Sequence, residues 1–260
     1  MKYAFAILGL ILITLLLNSC AKDPEFKVPV QAEKGTFAFN IDTKVGSQNF
    51  VIGQNYYDIE GYRYNVATFK YYLSKLSLIK EDGSLYEVKD IALIDYEGNN
   101  LGDIETVMGE VPVGNYSGIK VWFGVDSVLN FKGPNDYPNS HPLSVAQQTY
   151  WDWNTNYRFM ILEGICDTIL NDTMSIPPTS YFTYHPGTMP LYKEVVFPAR
   201  AIAISKDNRY DYNVKLDVNK IFYSTQDTIT MHKRPVTHTV GAFDLAEEIS
   251  ENFTHAFSVQ

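Results

Sequence analysis

Short stretches in which apolar and polar residues alternate recur along most of the chain. In the stretch 36–42, Phe37, Phe39 and Ile41 share one face, and 209–218 alternates in the same way. Because successive side chains of a strand point to opposite faces of a sheet, this alternation predicts strands with one buried face. Further strands are predicted at 49–52, 67–78, 85–88, 91–96, 119–125, 157–162, 180–185 and 193–203. Strands of this length between turn residues favour an antiparallel β-sandwich.

Turn residues refine this pattern at two places. Asp82-Gly83 separates 67–78 from 85–88 and predicts a hairpin, since glycine takes up a positive φ without a Cβ clash. Pro198 lies inside 193–203 and predicts an edge strand or a bulge there, because proline donates no hydrogen bond to a neighbouring strand.

The period changes near the C-terminus, where apolar residues recur at every fourth position. The members of this stripe are Leu245, Ile249, Phe253 and Phe257. Asp244 is expected to cap a helix and Glu247 to complete a capping box with it. A helix of this length is marginal in water, so its stripe is expected to pack on the sandwich. The predicted fold is therefore mainly β, an antiparallel β-sandwich with a C-terminal amphipathic helix.

The first residues have the character of a targeting segment. Lys2 precedes an apolar run at 3–17 that is too short to span a bilayer comfortably, and this predicts a signal peptide at 1–19. The sequence Leu17-Asn18-Ser19-Cys20 resembles the lipobox of bacterial lipoproteins. Cys20 is therefore predicted to be the lipid-modified mature N-terminus.

Two further segments follow from this reading. The polar residues 20–34 include two prolines and no period, and they predict a lipid-anchored tether. Residues 35–260 are then long enough for a single β-sandwich domain. The expected location is the cell envelope, with the lipid on Cys20 in the outer membrane and the domain either periplasmic or surface-exposed.

Cysteine content and charge exclude several classes of protein. Cys166 is the only cysteine left once Cys20 is acylated, so no intrachain disulfide is expected and the free thiol is predicted to be buried. The formal net charge is −9, and no basic patch is interleaved with aromatic residues. Nucleic acid is therefore excluded as a partner, and cations are the more plausible charged ligands.

A proline-rich loop joins the predicted strands 119–125 and 157–162. The segment around it holds all three tryptophans, one histidine and an acidic pair: Trp122, Trp151, Trp153, His141, Asp126 and Glu163. Loops held between core strands commonly carry binding residues, so a site is expected here. Asp126 and Glu163 could act as an acid and base pair, but nothing fixes their separation. For that reason, and with no recognisable catalytic triad, phosphate loop or zinc motif, we expect a protein that is not an enzyme.

Histidine and methionine are the candidate metal ligands. Imidazole nitrogen and thioether sulfur bind transition-metal ions, so His185 and Met189, four residues apart across a Pro-Gly turn, are candidates together with His141. The alternative for His185 is a hydrogen-bonded structural residue at a strand end.

Trp151 and Trp153 alternate about Asp152 and are predicted to point the same way. They are either core anchors or an aromatic platform, for example one on which a sugar ring stacks.

Several short motifs recur along the domain: residues 69–74, Gly124-Val125-Asp126 with Asn130, Pro142-Leu143, Trp151-Asp152-Trp153, residues 156–159 with 162–164, Tyr184-His185-Pro186-Gly187, and residues 249–253 with Phe257. In this order they resemble the motifs of the MbnP-like family of secreted copper-associated proteins, many of them lipoproteins of Bacteroidetes. The resemblance implies a β-sandwich outside the cytoplasm and a copper site with few protein ligands, including histidine. Copper outside the cell binds imidazole and, as Cu(I), thioether sulfur, so the candidate copper ligands are His185, Met189 and His141. Some members of the family have a tryptophan oxidised to kynurenine with a di-haem peroxidase-like partner, and the resemblance therefore implies that Trp151 and Trp153 could form a platform for copper-directed oxidation.

The chain departs from this family pattern in two places. Many members have a histidine in the first strand, where this chain has Asn40-Ile41-Asp42, and Tyr150 replaces a frequent methionine. The functional prediction is a non-enzymatic extracytoplasmic lipoprotein for copper capture or handling. The alternative is a glycan- or ligand-binding surface lipoprotein that uses the face of Trp151 and Trp153.

Overall fold

The computed structural model describes residues 32–97, 102–170, 178–224 and 227–260. Within them, Glu33–Gln260 form one unit by internal contacts. The predicted signal peptide, the lipobox with Cys20 and all but the end of the predicted tether lie outside the described residues. None of the helices in the described part of the chain is long and apolar enough to cross a bilayer.

Strands dominate the described residues, and helices are few. The strands are β1 (Lys34–Val45), β2 (Gln48–Asn49), β3 (Asn55–Tyr57), β4 (Arg63–Lys80), β5 (Leu85–Asp95), β6 (Glu105–Pro112), β7 (Gly114–Phe123), β8 (Tyr150–Trp151), β9 (Asn156–Tyr157), β10 (Met160–Cys166), β11 (Ser180–Tyr184), β12 (Lys193–Val195), β13 (Ile202–Ile204), β14 (Arg209–Asp217), β15 (Val236–Thr237) and β16 (Phe257–Val259). The α-helices are α1 (Ser127–Asn130) and α2 (Phe243–His255). Four 3₁₀ helices lie at Pro134–Asp136, Val145–Gln147, Met189–Leu191 and Val218–Ile221.

The strands form two main sheets. One has the order β16-β14-β1-β2, with β6 also paired to β1, and the other has the order β12-β7-β4-β10-β11-β15, with β13 on β7 and β3 and β5 on β4. Strands β8 and β9 form a separate hairpin. The mainly β prediction is confirmed, although β1 with β14 and β11 with β15 are parallel pairs in an otherwise antiparallel arrangement.

The two main sheets share an aromatic core. Phe39 of β1 stacks on Tyr212 of β14, and Phe197, which follows β12 of the other sheet, packs edge-on against both rings. The predicted faces of both strands are buried: Phe37, Phe39 and Ile41 of β1 are fully buried, as are Tyr212, Val214 and Leu216 of β14. In β1 the opposite face is also buried at Ala38 and Asn40. Cys166 is also buried, as predicted, and burial raises the pKa of its thiol to about 11.

Several predicted boundaries are wrong. The stretches 85–88 and 91–96 form the single strand β5, and 49–52 contributes only Asn49 to a strand. The Asp82-Gly83 turn is confirmed, with Gly83 at a φ of 82°. Pro198 separates β12 from β13, which both pair with β7, so the run 193–203 is two edge strands.

Helix α2 packs on the sheets through its predicted stripe, but its ends differ from the prediction. Leu245, Ile249 and Phe253 are buried, and Phe253 contacts rings of both sheets. Ala242 occupies the N-cap without a side-chain bond, whereas Asp244 lies in the first turn and pairs with Arg234 at 3.2 Å. The capping-box prediction is therefore wrong. Phe257 lies beyond the helix in β16, because it pairs with β14 there.

Candidate functional site

Strand register brings three polar side chains together at one end of β10, β11 and β15. Glu163 of β10 is paired with Thr183 of β11, so His185, two residues further along, lies diagonally across from it on the same face. Strand β15 runs parallel to β11, with Tyr184 opposite Thr237. Continuing that register by one residue places His185 beside His238.

The imidazole of His185 has a partner at each nitrogen. Its Nε2 lies 2.6 Å from Oε1 of Glu163, and its Nδ1 lies 3.1 Å from Nδ1 of His238. A carboxylate accepts but does not donate, so Nε2 of His185 carries the proton and Nδ1 presents a lone pair. In the metal-free protein, His238 donates its own Nδ1–H to that lone pair.

Burial and hydrogen bonding set the protonation states of His185 and Glu163. Only 4% of the His185 side chain is exposed, and this burial lowers the pKa of its imidazole, opposed by the bond to Glu163. The bond from His185 lowers the pKa of Glu163, helped by the charge of Arg158. At neutral pH the site therefore contains a neutral imidazole and an ionised carboxylate.

Indole rings border the two histidines. Trp151 makes edge-to-face contacts with His185 and His238, at centroid distances of 5.0 and 5.3 Å. Trp153 stacks on Trp151 at 4.9 Å and is 70% exposed. The prediction that the two indoles point the same way agrees with this stacking. Trp151 is half-buried beside the histidines, whereas Trp153 is neither a core residue nor in contact with them.

A guanidinium completes this aromatic group. Arg158 lies over the ring of Trp151, 4.3 Å from its centroid. Its Nε and Nη2 donate to the backbone carbonyls of Thr149 and Gln148. Sequence analysis gave Arg158 no role of its own, since a single arginine in a predicted strand carries no signal of what it contacts.

Tight packing fixes the turn that follows His185. The hydroxyl of Thr239 makes two hydrogen bonds in this turn. It donates to the backbone C=O of His185, and its Oγ1 accepts from the backbone N–H of Gly187. A Cβ on Gly187 would lie 2.7 Å from Oγ1 of Thr155 and 2.9 Å from the backbone oxygen of Tyr157. Glycine is therefore required where this turn meets the β8–β9 hairpin.

The hairpin is also tied to the strand that supplies the second histidine. Asn154 donates from Nδ2 to the backbone C=O of His238 at 2.7 Å. The remaining oxygen of Asn154 and Oγ1 of Thr155 are buried without a hydrogen-bond partner in the described residues. The hairpin that carries the indoles is thus bonded to the segment that carries His238, and two buried polar atoms without hydrogen-bond partners in the described residues lie in that hairpin.

His141, the second predicted histidine ligand, lies in a different set of contacts. Its ring stacks on Tyr137 at 4.2 Å, and its Nδ1 accepts from the backbone N–H of Leu143 at 3.1 Å. Burial lowers the pKa of this imidazole. Its surroundings are those of a residue that stabilises its own loop.

Met189, the predicted thioether ligand, begins the 3₁₀ helix Met189–Leu191 and is partly exposed. Both ring nitrogens of His185 have partners other than Met189. The prediction that His185 and Met189 act together rested only on their spacing of four residues in the sequence.

Asp126 and Glu163 belong to different local structures. Asp126 is the N-cap of α1 and accepts from the N–H groups of Val128 and Leu129. It also lies 3.7 Å from Nζ of Lys75. Asp126 therefore has a structural role, and of the two predicted carboxylates only Glu163 contacts the histidines.

The first-strand positions, where a family histidine would lie, have ordinary roles here. Asn40 donates to Asp211 and Asn213 of β14, and Ile41 is in the core. Tyr150 packs on Tyr157 across the β8–β9 hairpin. The imidazole that accompanies His185 comes instead from His238, which sequence analysis did not select, because nothing local marks a residue brought in by a parallel strand pair 53 positions away.

The donor set is small. In the described part of the chain, no group of three or more His, Cys, Asp or Glu side chains is placed to hold a metal ion. The two facing Nδ1 atoms are the best ligand pair, since imidazole–metal bonds of about 2.0 Å can bridge a separation of this size. Glu163 orients His185 as a second-sphere carboxylate does in many metal sites.

Comparison with known proteins identifies the family. The family model described as MbnP matches residues 34–239. The solved structure of MbnP from Methylosinus trichosporium aligns with a TM-score of 0.49 and 15% sequence identity, over 76% of this chain and 80% of that chain. No curated protein matches. Because the family model covers most of the 260 residues, the chain belongs to the MbnP family.

Proposed function

We propose that this protein binds copper between His185 and His238, for copper capture or handling at the cell envelope. The observation that carries the proposal is the approach of the two Nδ1 atoms to 3.1 Å, with Nε2 of His185 engaged by Glu163. A carboxylate on the far nitrogen leaves Nδ1 as the ligand atom and increases its basicity. The metal is the cargo of this protein, and no catalytic step is assigned to it.

The donor set favours copper over other common ions. Structural zinc takes four protein ligands, and calcium and magnesium take oxygen ligands. Two imidazoles in a half-buried aromatic setting suit copper, especially Cu(I), which accepts a low coordination number. Membership of the MbnP family, which the sequence resemblance links to copper outside the cytoplasm, agrees with this choice.

The envelope location rests on the N-terminal sequence. The charged start, the apolar run and the small residue before Cys20 support export and lipid attachment. Labelling cells with a fatty-acid analogue tests this. Label on the wild type that is lost in Cys20→Ser supports the anchor, and equal label on both proteins contradicts it.

Metal titration tests the proposed site. The metal-free soluble domain is titrated with Cu(I) and Cu(II) against a competing chelator, as the wild type and as His185→Ala and His238→Ala. The proposal expects tight binding of one ion that is lost in both variants, while circular dichroism shows that they remain folded. Failure of the wild type to compete for either ion would overturn the proposal, and so would unchanged affinity in both variants.

One observation favours glycan binding as a second candidate function. Trp153 exposes a flat aromatic ring that is backed by Trp151, which is the arrangement that stacks on a sugar. Retention on a glycan array that is lost in Trp153→Ala, with no copper bound by the wild type, would replace the copper proposal.

A further inference from the structure

An open polar cleft adjoins the histidine pair and is lined in part by Glu163, which contacts His185, and by Arg158, which lies over Trp151. Its volume of about 380 Å³ is enough for a small molecule. Among the residues around it are Thr68, Lys70, Gln147, Gln148, Arg158 and Glu163. The register of β10 against β4 shifts between Glu163 and Gly164, where β4 contains one extra residue, Ala67, and such irregularities turn side chains toward a site.

Arg158 is a cation without a carboxylate partner in the described residues, since no acidic oxygen lies within 4.0 Å of its guanidinium. Two of its nitrogens bond to backbone carbonyls, and its plane lies over the half-buried ring of Trp151. A partly desolvated guanidinium that is held rigid favours a carboxylate ligand, because the planar fork matches two carboxylate oxygens.

Lys70, the other cation of the cleft, differs from Arg158 in this respect. Its Nζ lies 2.8 Å from Asp95 and 3.1 Å from Glu97. Two carboxylates already compensate its charge, so Lys70 offers little attraction to an added anion. The attraction for a ligand carboxylate is therefore concentrated at Arg158.

Glu163 supplies the opposite charge on the same cleft. Its Oε1 faces His185, while its Oε2 makes no hydrogen bond within the described residues, and 37% of the side chain is exposed. Arg158 and Glu163 interact electrostatically, but they form no ion pair within 4.0 Å. Each charge therefore remains available to a ligand that carries both signs.

We infer that this cleft binds a small zwitterion of the amino-acid or short-peptide class, with its carboxylate on Arg158 and its ammonium group beside Glu163. The amides of Gln147 and Gln148 and the hydroxyl of Thr68 offer further polar contacts to such a molecule. The inference goes beyond metal binding, and it is tested on metal-free protein. It can therefore fail while the copper proposal stands, and the reverse is also true.

Calorimetric titration of the metal-free soluble domain tests the inference. The probes are the twenty common amino acids and the dipeptide glycylglycine, each compared with its carboxyl-amide and its N-acetyl form. The inference expects at least one free zwitterion to bind and both blocked forms to bind at least about tenfold more weakly, which is the size of one charge-assisted hydrogen bond. Absence of binding by every free probe would overturn it, and so would equal binding of a blocked form.

Variants locate the ligand. Arg158→Gln is expected to weaken the bound zwitterion at least about tenfold. Arg200→Gln is the matched control, because Arg200 also lies over an aromatic ring, Tyr212 at 5.5 Å, but does not line the cleft. Equal affinity in Arg158→Gln and wild type would overturn the assignment. If thermal melting shows that Arg158→Gln does not fold, the comparison of blocked and free probes on the wild type decides the question.

Discussion

His141 and His185 are both candidate metal ligands in the sequence, but their surroundings in the structure differ. His141 stacks on Tyr137 and accepts a backbone N–H two residues along its own loop. His185 is buried between Glu163 and His238, which lie 22 and 53 residues away. His141 is bound by local contacts that stabilise a loop, and His185 by one polar group in the neighbouring strand β10 and one directly after the neighbouring strand β15.

This difference shows which histidine is prepared for a ligand. Nδ1 of His141 is an acceptor of a backbone bond, so a metal there would displace a bond that orders the loop. Nδ1 of His185 faces a second imidazole, and its other nitrogen is fixed by a carboxylate. Of these two histidines, only His185 has its Nδ1 lone pair facing a second nitrogen that could also bind a metal ion.

Alanine substitution at each histidine should separate the two regions most strongly. In His185→Ala the copper affinity is expected to fall more than about 100-fold, which exceeds the usual effect of a second-sphere change, because a ligand atom is removed. In His141→Ala it should change less than about threefold, since its ring contacts lie in its own loop. Chelator competition measures both. A larger loss in His141→Ala than in His185→Ala would reverse the comparison.

Glu163→Gln tests whether the carboxylate acts through His185. The amide keeps an acceptor but loses the charge, so the affinity for copper should fall about 10–100-fold. Its control is Asp126→Asn, which alters the other predicted carboxylate at the N-cap of α1 and should leave the metal affinity unchanged. Equal copper affinity in Glu163→Gln and wild type would remove Glu163 from the site.

Substitution of two glycines compares the packing of the turn after His185 with that of the loop that contains His141. Gly187→Ala should lower the free energy of unfolding by about 1–3 kcal/mol, because the added methyl meets Thr155 and a backbone oxygen. Gly133→Ala, near His141 in sequence, should change it by less than about 0.5 kcal/mol, since the nearest atom would be 4.0 Å away and its φ is −69°. Urea unfolding measures both. Similar losses in the two variants would contradict the packing assigned to the His185 turn.

Two tyrosines should give the smallest effects. The hydroxyl of Tyr72 contacts the C=O of Pro142 and Oγ1 of Thr149, each at 2.7 Å, so Tyr72→Phe should lower the free energy of unfolding by about 1–2 kcal/mol. The hydroxyl of Tyr137 is buried without a hydrogen-bond partner in the described residues. Tyr137→Phe should therefore be neutral to within about 0.5 kcal/mol. A greater loss in Tyr137→Phe, measured by urea unfolding, would mean that this hydroxyl has a partner.

Features set by local pattern could be predicted from the sequence. Alternation identified the buried faces of β1 and β14, and the period of four identified Leu245, Ile249 and Phe253 as the packed face of α2. The cap of α2 was missed because Asp244 forms an ion pair with Arg234 instead of capping the helix.

Features set by pairing between distant segments could not be predicted in this way. His238 reaches His185 only because β15 joins the sheet parallel to β11, and no local pattern fixes that register. Met189 and Asp126 were grouped with the site by closeness in sequence, yet the structure assigns them to a 3₁₀ helix and a helix cap. His185 and Glu163 were both candidates in the sequence, but their hydrogen bond depends on the pairing of β10 with β11.

The most direct test of the central claim is the X-ray absorption spectrum of the copper-loaded domain at the copper edge. The account predicts nitrogen scatterers with an imidazole pattern at about 2.0 Å and loss of part of that pattern in His238→Ala. A sulfur scatterer at about 2.3 Å would instead place a sulfur ligand on the metal. That result, or an unchanged spectrum in His238→Ala, would contradict the histidine pair as the binding site.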